Sequence, residues 1–209
     1  MRLSERPLAF IDVETTGLDP NRHEVIEVAV VFDESVFRRL GAPWALLLHR
    51  DEPDLAVWHT RIRPERIGDA DPKALRVNRY DPERWANAPT AAEVADDIVA
   101  LLTREGADPV IVGHNVSFDR DFLNATLRGV GSRARVSHHT VDTVTLCHEH
   151  LVPCGLESLS LDNVRRFLGI PTEGSHAALK DAIDARDVYH RLTRSSRLRR
   201  LLWRLRGPR

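Results

Sequence analysis

Apolar residues in the first third of the chain come in short runs of strand length rather than at helical spacing. Residues 8 to 14 (LAFIDVE) form one run, closed by Thr-Thr-Gly, and Val25 to Phe32 (VIEVAVVF) form a valine-rich second, so the pair reads as a hairpin. Trp44 to His49 and Val57 to Ile62 read as two further strands, set apart by the charged DEPD segment at 51 to 54. Between Arg63 and Pro89 the prolines Pro64, Pro72, Pro82 and Pro89 fix the backbone and remove donors, which predicts a loop lying over a surface.

The period then changes. Thr90, with Glu93 three residues on, gives a capping-box signal before AAEVADDIVALL and predicts an amphipathic helix ending near Gly106. PVIVG at 109 to 113 is another buried strand. It runs into HNVSFDRDFLNATLRGVG, where Phe118, Phe122, Leu123 and Leu127 recur at helical spacing and Asn115 or Ser117 is placed to cap. From Leu156 the pattern is helical, with a Gly169-Ile170-Pro171 break and a second long helix after His176. Strands first, then strand alternating with helix, predict an α/β or mixed α+β domain.

With 209 residues, 42% hydrophobic and 29% charged, the chain is large enough for one domain with a sizeable core and unlike disordered or membrane sequences. No run reaches the ~20 apolar residues of a membrane span, and MRLSERPLAF lacks a secretory signal, so a cytoplasmic protein with no membrane role is expected. Cys147 and Cys154 are too few for a disulfide scaffold. The charge is uneven. Residues 191 to 209 carry eight arginines and no acid, which against a whole-chain charge of −1 leaves −9 on the residues before them. Leu198, Leu201, Leu202 and Leu205 recur at helical spacing within that basic end. The expected organisation is therefore a domain over residues 1 to 193 and an arginine-rich tail or helix extension over 194 to 209, suited to packing, solubility or contact with nucleic acid.

Asp12 and Glu14, two apart on a strand, leave the same face while Val13 points the other way. Two carboxylates forced together raise each other's pKa, and a hard divalent cation with oxygen ligands relieves that. Two solvated acids at a strand end are the plain alternative. Asp119 falls in the first turn of a helix, where the dipole favours an acid in any case. His176 and Asp181 are about 500° apart on a helix and share no face, so convergence needs His176 on the loop before the helix and Asp181 inside it. Asp184 and Asp187 continue the acidic spacing, as a solvated stripe also would.

FIDVETTGLDP (10 to 20), GHNVSFDRDFL (113 to 123) and HAALKDA (176 to 182), in this order, resemble the three exonuclease motifs of the DnaQ-like (DEDD) family, and His176 resembles its histidine subtype. Asp142-Thr143 and the Leu-x-x-Leu run near Leu156 are similar to its connecting elements. The resemblance covers most of residues 8 to 193. It implies a ribonuclease-H-like fold, an α/β arrangement with a mixed five-stranded sheet flanked by helices, and two Mg²⁺ or Mn²⁺ ions. It further implies a 3′-5′ exonuclease that releases nucleoside 5′-monophosphates. Asp12 would bridge the ions, Glu14 and Asp181 would hold the one carrying the nucleophilic water, and Asp119 the other. Two such ions ~3.5–4 Å apart stabilise the attacking and leaving oxygens of an in-line displacement. His176, with an ordinary pKa near ~6.5, would be the general base. Thr15, Thr16 and Gly17 would meet the terminal sugar, Leu18 would wedge against the terminal base, and Asn115 and Phe118 would shape the pocket, although Phe118 equally suits the core.

The turn Glu-Thr-Thr-Gly resembles the DNA-proofreading branch more than the oligoribonuclease branch, so DNA 3′ ends, single-stranded ones above all, are the expected partner. An RNA-trimming exoribonuclease and a non-catalytic nucleic-acid-binding member of the same fold are the alternatives. A polymerase partner is allowed, but the chain contains no glutamine and so no glutamine-led clamp-binding peptide. Cys147-His148-Glu149-His150 with Cys154, near His138-His139, has zinc-capable side chains at a spacing unlike paired C-x₂₋₄-C sites. No phosphate-cradling G-x-x-x-x-G-K-[ST] and no G-x-S-x-G occurs.

Overall fold

The computed structural model describes residues 2–33, 47–49, 52–172 and 177–194. Its centre is a mixed sheet. Strand β1 (Leu8–Thr15) and strand β2 (Val25–Asp33) make the expected antiparallel hairpin, with Glu14 opposite Glu27. Strand β3 (Leu47–His49) and strand β4 (Glu52–Arg61) extend it on the β2 side, and β5 (Val110–Gly113) and β6 (Thr140–Asp142) run parallel to β1 on the other, giving the order β3-β4-β2-β1-β5-β6. β1, β2, β4, β5 and β6 are the five strands of the expected mixed sheet, and β3 adds a short sixth at the antiparallel edge. Residues 44 to 46 of the strand expected at Trp44 to His49 lie outside the described residues. The DEPD segment does not separate two strands as expected, because β4 begins at Glu52 and pairs back onto β3 at once, His49 opposite Glu52.

Alternation along the strands divides the core. Ala9, Ile11 and Val13 with Val28, Val30 and Phe32 face a layer made of α3 (Ala91–Leu102) and α4 (Val116–Gly129), which contribute Ile98, Leu102, Phe122 and Leu123. Phe10, Ala29, Val31 and Val57 face the other way, onto α7 (Ala178–Thr193), whose Ala178 and Ala182 let that helix lie close on the sheet. Asp12 and Glu14 share the parity of Phe10, so strand geometry alone turns them toward α7. Helices α5 (Thr143–Leu151) and α6 (Leu161–Leu168) complete that layer through Cys147, Leu151, Val164 and Leu168, packed on Val188 and Leu192 of α7.

The capping box at Thr90 and Glu93 is present. Helix α3 stops at Leu102 rather than near Gly106: Thr103 closes the last turn with its N–H on Val99 O, then turns to extended backbone at φ −111° and ψ 170° and bridges to Val136. The proline-rich stretch is more ordered than a loop. It contains α1 (Pro72–Val77) and α2 (Pro82–Trp85), each capped by the aspartate that precedes its first-turn proline. This segment braces the β1–β2 turn: Asn78 Nδ2 donates to Thr15 O at 2.8 Å, and the Asp71 N–H donates to Thr16 O at 2.7 Å. Trp85 anchors it, donating from Nε1 to Ile26 O at 2.7 Å beneath the Arg61 guanidinium, 4.7 Å from the ring. Among the described residues no helix is long and apolar enough to cross a membrane. The arginine-rich end from residue 195 onward lies outside them.

Candidate active site

Helix α7 brings Asp181, one turn in from its start, over the end of β1. One carboxylate oxygen from each of Asp12, Glu14 and Asp181 lies within 4.8 Å of the others. Glu14 and Asp181 are both 8% exposed. Asp119 arrives from the opposite layer, in the first turn of α4, and is 3% exposed, with Oδ1 accepting the Val13 N–H at 2.9 Å. The structure thus gathers three of the four expected acids into one tight group and fixes the fourth on the backbone between Asp12 and Glu14.

The electrostatics follow from that crowding. Burial first, then Asp119, Asp181, Glu14 and Glu27, hold the Asp12 carboxyl well above the usual carboxylate range. Burial, then Asp181, Glu27 and Asp119, push Glu14 up to about 8. Burial also pushes Asp119 up to about 8, against the Val13 N–H and its own, which favour the charged form. Such a group either keeps protons or takes up positive charge, and an oxygen-only donor set suits a hard divalent cation. By the chemistry of the donors, these residues fit a divalent-metal site.

The sequence profile of the RNase_T family, described as Exonuclease, matches residues 9–189. The chain belongs to this exonuclease family. Its motifs are those of a DnaQ-like 3′-5′ exonuclease, a hydrolase, in a family whose general mechanism uses two metal ions. The exonuclease is 28% identical over 171 residues to the DNA polymerase III subunit epsilon of Treponema pallidum, covering 82% of this chain and 69% of that protein. It is 24% identical over 188 residues to the oligoribonuclease of Photobacterium profundum, covering 88% of this chain and 92% of that protein. In fold it is similar to E. coli exonuclease I, solved in complex with a dT13 oligonucleotide, at a TM-score of 0.68 and 18% identity. That overlay covers 94% of this chain and 42% of the other, so the exonuclease spans less than half of its structural neighbour.

Around the acids, the remaining motif residues of the exonuclease are placed as follows. Thr15 and Thr16 are buried in the turn, the Thr15 hydroxyl donating to Gly17 O at 2.6 Å and the Thr16 hydroxyl accepting the Glu24 N–H at 2.9 Å. Gly17 lies against the His23 ring, where a Cβ would come within 2.4 Å of Cδ2, so any side chain there requires the ring to move. Leu18 is 79% exposed at the tip. Asn115 does precede α4, but its side chain makes no capping bond. Instead it turns at φ 68° and its N–H donates to Asp142 Oδ1 at 3.0 Å, the oxygen that also caps α5. Ser117 lies inside the helix and is no cap. Phe118 is half-buried against Phe122 at 4.7 Å and packs on the core, the role open to it besides substrate contact. His176 lies outside the described residues. Ala177, which follows it, is the N-cap of α7.

Three residues near the site, Glu27, His114 and Arg165, have roles that the motifs alone do not assign. Glu27, 8% exposed and cross-strand from Glu14, adds negative charge to the cluster, and its Oε1 lies 2.7 Å from His59 Nε2. An acid inside the apolar run VIEVAVV, on the parity of the Asp12 face, is the sign that could have found it. His114 ties the β5–α4 turn to Thr143 Oγ1 at 2.9 Å and Leu159 O at 2.7 Å, and burial lowers its pKa. Arg165 reaches Asp181 from α6 at 3.2 Å. Among the described residues the cysteines join no cluster of metal-capable side chains; burial pushes the Cys147 thiol up to about 12, and Cys154 Sγ donates to His150 O at 3.2 Å.

Proposed function

We propose that the exonuclease removes nucleoside 5′-monophosphates from the 3′ end of single-stranded DNA, using Asp12, Glu14, Asp119 and Asp181 to hold two Mg²⁺ or Mn²⁺ ions. The observation that carries this reading is the convergence of Asp12, Glu14 and Asp181 within 4.8 Å from two distant segments. When bound, the ions supply Lewis-acid polarisation of the phosphate and a more acidic water. Asp119 holds its orientation through the Val13 amide, which couples it to the strand carrying the other acids. His176, five residues before Asp181, takes the proton of the attacking water in this reading. The Thr15-Thr16-Gly17 turn, braced by Asn78 and Asp71, gives the terminal sugar a rigid backbone edge, and exposed Leu18 offers an apolar surface to an unpaired terminal base.

Preference for DNA is supported by the turn sequence Glu14-Thr15-Thr16-Gly17, which resembles the DNA-proofreading branch more than the oligoribonuclease branch. Relatives that include both a DNA polymerase subunit and an oligoribonuclease make RNA the second reading. End-labelled single-stranded DNA, duplex DNA and RNA, each with Mg²⁺, Mn²⁺ or chelator, test it. The expected result is shortening from the 3′ end, fastest on single-stranded DNA and abolished by chelator. Faster digestion of RNA would overturn the substrate assignment, and chelator-resistant digestion the metal assignment.

A further inference from the structure

Arg165 is 1% exposed, enclosed between α6 and α7 with three carboxylates around its guanidinium. Nη2 donates to Asp162 Oδ1 at 2.7 Å, while Nη1 donates to Asp181 Oδ1 at 3.2 Å and to Asp184 Oδ2. Asp184 is also 1% exposed and has a second cation to itself: Lys180 Nζ reaches its Oδ2 at 2.6 Å and also donates to Pro171 O at 3.3 Å. The arginine is therefore not required to neutralise Asp184 alone, and part of its fork is directed at an acid of the cluster.

Docking of α6 on α7 does not call for this charge. Val164, Leu168, Val188 and Leu192 already pack the two helices together, and a buried guanidinium carries a desolvation cost that an apolar pair avoids. What an apolar pair cannot do is hold a carboxylate. We infer that Arg165 is a positioning residue for Asp181: by engaging one oxygen it keeps the carboxylate in a single orientation beside Asp12 and Glu14. Cation ligation is then set from a helix that itself bears no other member of the cluster. The inference rests on the reading of Asp181 as a metal ligand.

The test replaces Arg165 and Asp184 together, as Arg165→Leu/Asp184→Leu, so that the 1%-exposed Asp184 is not left buried without the arginine. Arg165→Lys keeps the charge and loses the planar fork. Melting temperature and the Mg²⁺ and Mn²⁺ dependence of nucleotide release are measured for each. The double variant is expected to melt cooperatively, yet to need about 10–100-fold more Mg²⁺ for half-maximal rate, the range typical for loss of a residue that orients a metal ligand. The shift with Mn²⁺ is expected to be smaller, because Mg²⁺ demands near-ideal octahedral geometry, and Arg165→Lys is expected to fall between the double variant and the parent. A folded double variant with the parent's Mg²⁺ dependence would overturn the inference, as would an equal loss with both ions that follows the melting temperature. Should the double variant not fold, an unchanged Mg²⁺ requirement in Arg165→Lys would overturn it. Asp181→Asn is measured alongside: parent-like activity there would instead sink the assignment of Asp181 as a ligand.

Discussion

Replacing Glu14 with glutamine separates the cost of the acid cluster from its use. In the metal-free protein Glu14 keeps its proton up to about 8 instead of the ordinary 4.5, so at neutral pH folding must recover a proton that the unfolded chain has released. Over the interval from 4.5 to pH 7 this costs about 3 kcal/mol. Glutamine has the shape of the neutral acid and no such cost. In chelator at pH 7 Glu14→Gln should therefore be the more stable protein, with a melting temperature about 6–12 °C higher at ~2–4 °C per kcal/mol for a chain of this size. Added Mg²⁺ should reverse the ranking, since an ion that binds only the folded state stabilises the parent by mass action and has one ligand fewer in the variant. Nucleotide release should fall roughly 100-fold or more, beyond what loss of an outer-shell partner gives. Differential scanning calorimetry with and without Mg²⁺ reads the first two effects. A variant no more stable than the parent in chelator, or stabilised by Mg²⁺ to the same degree, would refute the picture of a cation-dependent carboxylate cluster.

Three other outcomes follow from the same geometry. Because the folded pKa of Glu14 and Asp119 is raised, what these two groups contribute to the stability of the metal-free protein should be greatest below the ordinary carboxylate values near 4 and be lost as pH rises toward about 8, so the gain from Glu14→Gln in chelator should grow across that window and Mg²⁺ should abolish it. Thermal melts of the parent and Glu14→Gln across that window check the sign, and a gain that shrinks as pH rises would contradict it. Gly17→Ala should cost about 1–3 kcal/mol and raise KM, because its Cβ meets the His23 ring, and Gly17→Ala/His23→Ala should recover most of the loss in steady-state kinetics. Thr90→Ala, which removes the cap of α3 far from the acids, should lower stability by about 1 kcal/mol in urea titrations and leave the rate unchanged.

Much of the site is readable in the chain because its logic is local. Asp12 and Glu14 are two apart on an apolar run, so strand parity alone puts them on one face. Asp181 is different: nothing in its spacing from His176 requires convergence, and the motif resemblance, not the period, points to it. The misread parts share a cause, namely residue types with two structural uses. Pro72 and Pro82 look like loop formers but follow capping aspartates and start helices. Arg165 and Arg166 are adjacent and indistinguishable in sequence, yet the 100° step between them buries the first under α7 and leaves the second exposed. Thr103 follows a continuous helical pattern yet takes extended backbone and bridges to Val136, a partner 33 residues away that no local pattern announces.

The proposal depends on the acids of the β1 end performing the hydrolysis, and the release of 5′-nucleotide from a single-stranded oligodeoxynucleotide by the parent and by Asp12→Ala, side by side in Mg²⁺, measures that directly. The expected result is a variant that melts cooperatively and releases nucleotide no faster than the parent does in chelator. Release at the parent's rate by Asp12→Ala would place the reaction somewhere other than this cluster.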